Sequence, residues 1–147
     1  MKLTVFLVVA ILFLSGNPTG VNAFNKTYCQ LDLPPPQNWI PGRNLFPGRV
    51  LEGFNKNFSE GSLEDIIQYA QWICDGNSGC TSLIVVSAIP SGSFYNPRSW
   101  FGYLFSGPPV SPSDFVRGPP AQNVQNSTVF NAYTNSTRPG VDACVAH

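Results

Sequence analysis

The chain has 147 residues, with 8 lysines and arginines against 8 aspartates and glutamates and a single histidine. That balance offers no basic field for nucleic acid or for anionic lipid. With His147 as the one histidine, serine or cysteine hydrolysis lacks its usual base.

The opening MKLTVFLVVAILFLSGNPTGVNA carries one lysine, an apolar run from Leu3 to Leu14 and an A-x-A-like ending at Val21 and Ala23. It reads as a secretory signal peptide over residues 1–23, removed after Ala23. An apolar run of about 12 residues falls short of the roughly 20 that a bilayer requires. The mature chain, 24–147, is therefore expected to be extracellular, without a membrane span, and to form a single domain. Loss of Lys2 leaves 7 basic residues against the 8 acidic ones, a charge near −1.

Four cysteines in a secreted chain of this size point to two disulfides, and four cysteines allow three pairings. The economical one joins Cys74 to Cys80, which are close in sequence, and Cys29 to Cys144, near the two ends of the mature chain. Zinc is the competing use of clustered cysteines, but there is no Cys-x2-Cys and no internal histidine to support it. Asn25, Asn57, Asn126 and Asn135 stand in N-x-S/T sequons free of proline, each a candidate glycosylation site on the surface.

From Phe24 to Gly53 the chain is expected to be an extended lead-in. Its run LPPPQNWIPGRNLFPG excludes a continuous helix or a central strand. Trp39, Ile40, Leu45 and Phe46 are its expected anchors. A helix follows from Ser62: serine suits the N-cap, Asp65 stands three residues on, and Glu64 with Asp65 puts negative charge where the helix dipole favours it. Leu63, Ile66, Ile67, Ala70, Ile73 and Cys74 form one apolar stripe at helical spacing, and Gly76 is a natural stop.

After Cys80, TSLIVVSAI is β-branched, almost uncharged and ended by Pro90, the pattern of a strand buried on both faces. The Cys74–Cys80 bond would thus staple the last helical turn to the start of a central strand. Closing so short a loop is worth about 2.4 kcal/mol against about 4.8 for Cys29 to Cys144, so the short bond sets geometry and the long one adds stability. Further strands are expected over Ser99–Ser106, over Ser127–Thr134 and, briefly, within VDACVAH at the C-terminus. One helix among several strands predicts an α+β fold, with the helix packed on an antiparallel sheet of about five strands.

A helix ending in cysteine, a short turn, and then Cys-x-x-hydrophobic-x-hydrophobic along a strand, here CTSLIV, resembles the PAN/apple family. The likeness is greatest to the apple-like domains of small secreted fungal proteins and spans about Gly53 to Tyr133. In that family a further helix cysteine, four residues before the first, pairs with one on a later strand; the matching positions here are Ala70 and Gly102. Leu83 and Val85 stand where aromatics are common. The resemblance implies an extracellular module that binds carbohydrate or protein, with no chemistry and no cofactor of its own. The coupled replacement also implies that Ala70→Cys with Gly102→Cys should oxidise and raise the melting temperature.

Among the residues themselves, SGSFYNPRSWFGY is the best recognition segment. Phe94, Tyr95 and Trp100 offer flat apolar faces and Arg98 a fixed donor fork. Trp100 opens a strand, where a core position is the competing role. No phosphate loop or dinucleotide fingerprint occurs, and no catalytic residue is assigned. The alternatives to a binding module are a secreted structural or effector protein and a small hydrolase built on two of Asp32, Glu52, Glu60, Asp114 and Asp142.

Overall fold

The computed structural model describes residues 26–91, 97–134 and Cys144. In chain order they form β1 (Thr27–Leu31), β2 (Trp39–Pro41), β3 (Val50–Asn57), α1 (Leu63–Asp75), β4 (Ser82–Ala88), β5 (Ser99–Phe105), β6 (Phe115–Arg117) and β7 (Gln125–Tyr133). Five strands make one antiparallel sheet in the order β1-β7-β4-β5-β3, and β2 pairs with β6 in a separate ribbon. Among the described residues no helix is long and apolar enough to cross a membrane. The short C-terminal strand expected in VDACVAH lies outside the described residues, apart from Cys144.

The β-branched run behaves as its composition requires. All seven residues of β4 are buried, and β4 sits at the centre of the sheet between β7 and β5. Its side chains alternate between two cores. Leu83 and Val85 join Ile66, Ile67, Ala70, Trp100 and Leu104 beneath α1. Ile84, Val86 and Ala88 join Leu45, Phe105 and Phe115 on the other face.

Helix α1 starts where its capping signal stands. The Ser62 hydroxyl accepts from the Asp65 amide at 3.3 Å, and Asp65 Oδ2 accepts from the Ser62 amide at 2.8 Å. At the other end Lys26, only 8 % exposed, places its ammonium among three carbonyls, those of Cys74 (2.6 Å), Asn77 (2.6 Å) and Cys80 (3.0 Å). Three N–H bonds meet three acceptors at the negative end of the helix dipole. Burial draws the lysine pKa below its ordinary value and the Asp75 carboxylate opposes this. Both disulfides form as the spacing suggests, Cys74 with Cys80 and Cys29 with Cys144.

The lead-in differs from its expectation. Thr27–Leu31 is a strand, paired from Thr27↔Tyr133 to Leu31↔Val129, and Val50–Asn57 begins a longer one inside the supposed lead-in. Neither strand has a buried alternation of its own: β1 and β3 are the sheet edges, ordered by pairing with β7 and β5. Between them the chain lies across the sheet face away from α1. Leu45 is wholly buried there, whereas Phe46 remains 47 % exposed. Arg117 holds the proline turn, its guanidinium donating to the carbonyls of Pro34, Pro35 and Pro36 and lying 3.7 Å over the Trp39 ring.

Gly102 shows why a second helix–strand disulfide has no room. Phe54 faces it across the β3–β5 pair, and a Cβ at Gly102 would come within 2.2 Å of Cε1 and Cζ of that ring. The ring also packs edge-on against Tyr69, 5.0 Å away. The expectation that Ala70→Cys with Gly102→Cys would be stabilising therefore changes, because the new side chain has first to displace Phe54. We predict that Gly102→Ala alone costs about 1–3 kcal/mol in denaturant unfolding and that most of this disappears in a Phe54→Ala background. A second outcome concerns the disulfides. Cys144 is exposed while Cys74 and Cys80 are 0 and 2 % exposed, so mild reductant should open Cys29–Cys144 first, as read by timed alkylation and peptide mass.

Candidate functional site

Of the residues singled out for recognition, Phe94 and Tyr95 lie outside the described residues. Arg98 is half-buried, and its Nη1 donates to the carbonyl and the hydroxyl of Ser87 at 3.2 and 3.0 Å. Trp100 is a core residue. It is 2 % exposed, and its indole N–H donates to the carbonyls of Gly61 (3.1 Å) and Phe58 (3.3 Å). Alternation along β5 turns Trp100, Gly102 and Leu104 toward α1, which removes the indole from any ligand.

Aromatic surface is instead gathered on α1 and the neighbouring edge strand. Trp72 is 64 % exposed, the most exposed large apolar side chain among the described residues. Its ring lies 6.1 Å from that of Tyr69, three residues earlier, with an angle of 28° between the planes. Tyr69 in turn receives the edge of Phe54, and the Lys56 ammonium sits 4.1 Å from its ring centre. Helical spacing brings Tyr69 and Trp72 to one face, and β3 pairing with β5 brings Phe54 and Lys56 beside them. The result is a shallow aromatic step carrying one cation. Nearby, Phe58 is 44 % exposed and stacks on the buried Trp100 at 4.9 Å, so its outer face is available while its inner face serves the core.

A signal for this surface was present in the sequence. Tyr69 and Trp72 fall outside the apolar stripe of α1, and a tryptophan off the buried stripe of an amphipathic helix has nowhere to go but the surface.

The carboxylates serve the backbone or solvent. Asp114 Oδ2 accepts from the Ser111 amide at 2.8 Å, Glu60 accepts from the Asn57 amide, and Asp32 and Glu52 are exposed. Asp142 lies outside the described residues, as do Asn25 and Asn135. Asn57 and Asn126 are both exposed, and the Asn126 side-chain carbonyl accepts from the Ser87 hydroxyl at 3.0 Å. Among the described residues no three histidine, cysteine or acidic side chains converge on a metal position.

The chain matches no family model, no curated protein and no solved structure. Any functional reading therefore rests on the chain's own residues. The two tryptophans separate surface from core experimentally. Trp72→Ala should leave unfolding stability within about 0.5 kcal/mol of the parent, whereas Trp100→Ala should remove about 3–5 kcal/mol in the same denaturant titration.

Proposed function

We propose that the mature chain is a secreted, glycosylated and disulfide-stabilised binding module, PAN/apple-like in its helix-on-sheet arrangement, that holds an extracellular glycan or protein without chemistry of its own. Trp72, exposed on α1 and stacked near Tyr69, is the observation that carries this reading. A large apolar ring kept in water by a helix with a complete buried stripe costs solvation and contributes nothing to the core, which is the behaviour of a contact residue. Flat rings with polar edges suit the apolar face of a sugar, and the nearby Lys56 supplies a donor for its hydroxyls. Two disulfides favour an oxidising compartment, and the exposed Asn57 and Asn126 suit glycan attachment there.

The test is a pull-down of the mature chain on a panel of insoluble polysaccharides, with Trp72→Ala/Tyr69→Ala beside it. We expect saturable retention that the double variant loses by more than about tenfold while its melting temperature is maintained. Retention unchanged in the variant would dismiss the aromatic step as the site. No retention on any polysaccharide would move the reading to a protein ligand or a structural role.

A further inference from the structure

A pocket opens on the face of the sheet opposite α1, between β4, β5 and the segment that carries β2. Its volume is about 420 Å³. Val86, Ala88 and Phe101 form its floor, and Ile40, Phe46 and Val124 stand around it. The floor side chains belong to the core cluster that faces away from the helix, so this space is separated by the sheet itself from the Trp72 surface. The pocket is built by the fold rather than by a loop tip. β4 and β5 are held in register from Ser82↔Phe105 to Ala88↔Ser99, and the Ile89 amide is tied to the Gln122 carbonyl at 2.8 Å.

Its chemistry limits what it can hold. None of the residues that line it carries a charge, so an ion placed there would be desolvated without a partner. Three polar side chains reach it, Ser91, Tyr103 and Gln122, and none of them makes a hydrogen bond among the described residues. Tyr103 is fixed by the edge of Phe46, whose ring centre is 5.5 Å away and which is itself half-exposed at this side of the molecule. Size adds a bound. An apolar cavity of about 150 Å³ accommodates one benzene, and small-molecule sites run from about 300 to 1,000 Å³.

We infer that this pocket binds a neutral, mainly apolar small molecule of two to three rings that carries one hydrogen-bonding group, with the rings on Val86, Ala88 and Phe101 and the polar group met by Tyr103 or Gln122. The site is independent of the glycan or protein reading above, since it lies on the other face of the sheet.

The experiment uses the full mature chain with both disulfides formed and N-phenyl-1-naphthylamine, a neutral three-ring amine whose fluorescence rises in apolar surroundings. Saturable enhancement with one site per chain is expected, together with competition by 2-naphthol. Ala88→Leu, which fills the floor, should weaken the probe by more than about tenfold, and Trp72→Ala should leave it unchanged. Should Ala88→Leu fold poorly, methyl NMR of the parent chain decides: probe-induced shifts are expected at Val86, Ala88, Ile89 and Val124. Absence of saturable binding, loss of binding in Trp72→Ala, or shifts confined to the helix side would each overturn the assignment.

Discussion

Everything in this fold follows from the need to cover β4 on both sides. Seven consecutive buried residues cannot lie on an open sheet, because side chains alternate and one set would face water. Helix α1 covers Leu83 and Val85, and its stripe is sufficient for that. Among the described residues there is no second α-helix to cover Ile84, Val86 and Ala88. Proline-rich segments do that work instead, with Leu45, Val110, Phe115 and Val124 as their buried contacts. Such segments carry backbone groups that a helix would satisfy internally, so they need side-chain donors and acceptors. Asn131 provides a pair, donating to the Val110 carbonyl at 3.0 Å and accepting from its amide at 2.8 Å, and Arg117 binds the proline turn.

The end of α1 is where sheet, helix and N-terminal strand are joined. Cys74 and Cys80 link the last helical turn to the approach of β4, and Lys26 donates to carbonyls on both sides of that link. Tyr28 adds a contact from β1, its hydroxyl lying 2.8 Å from both the Gln71 carbonyl and Asp75 Oδ1. Burial, and then the neighbouring Asp75, pushes that phenol's pKa far above the usual tyrosine value, so it keeps its proton at physiological pH. An edge strand with little burial of its own is thereby bound to the helix through polar contacts, and the Cys29–Cys144 bond ties it to Cys144.

The two covers differ in what they leave open. The helix packs its stripe onto the sheet, and Trp72, off that stripe, stands in solvent beside the half-buried Tyr69. Irregular chain fits the sheet less completely, and on its side a pocket remains over Val86, Ala88 and Phe101. One asymmetry of covering thus accounts for an aromatic surface on one side of the molecule and an uncharged hollow on the other.

The helix from its cap to Gly76, the doubly buried strand, the two cysteine pairs and the α+β class were all legible in the sequence. Each rests on local chemistry: a serine with an acid three residues on, an uncharged β-branched run, cysteines six residues apart or at opposite ends of the chain. What lay beyond it were contacts between distant residues. TYCQL and VLEGFNKN became strands because β7 and β5 offered edges to pair with, not because of any alternation within them. Gly102 reads as a vacated cysteine position until Phe54, 48 residues earlier in the chain, is found in the space its side chain would need. Trp100 and Trp72 are the same residue type in similar company, yet one is buried beneath the helix and the other stands on top of it. Local pattern determined the helix and the central strand; the edge strands, and which side of each element meets water, were decided by the partners that the tertiary structure brings together, since burial and pairing belong to pairs of surfaces and not to single segments.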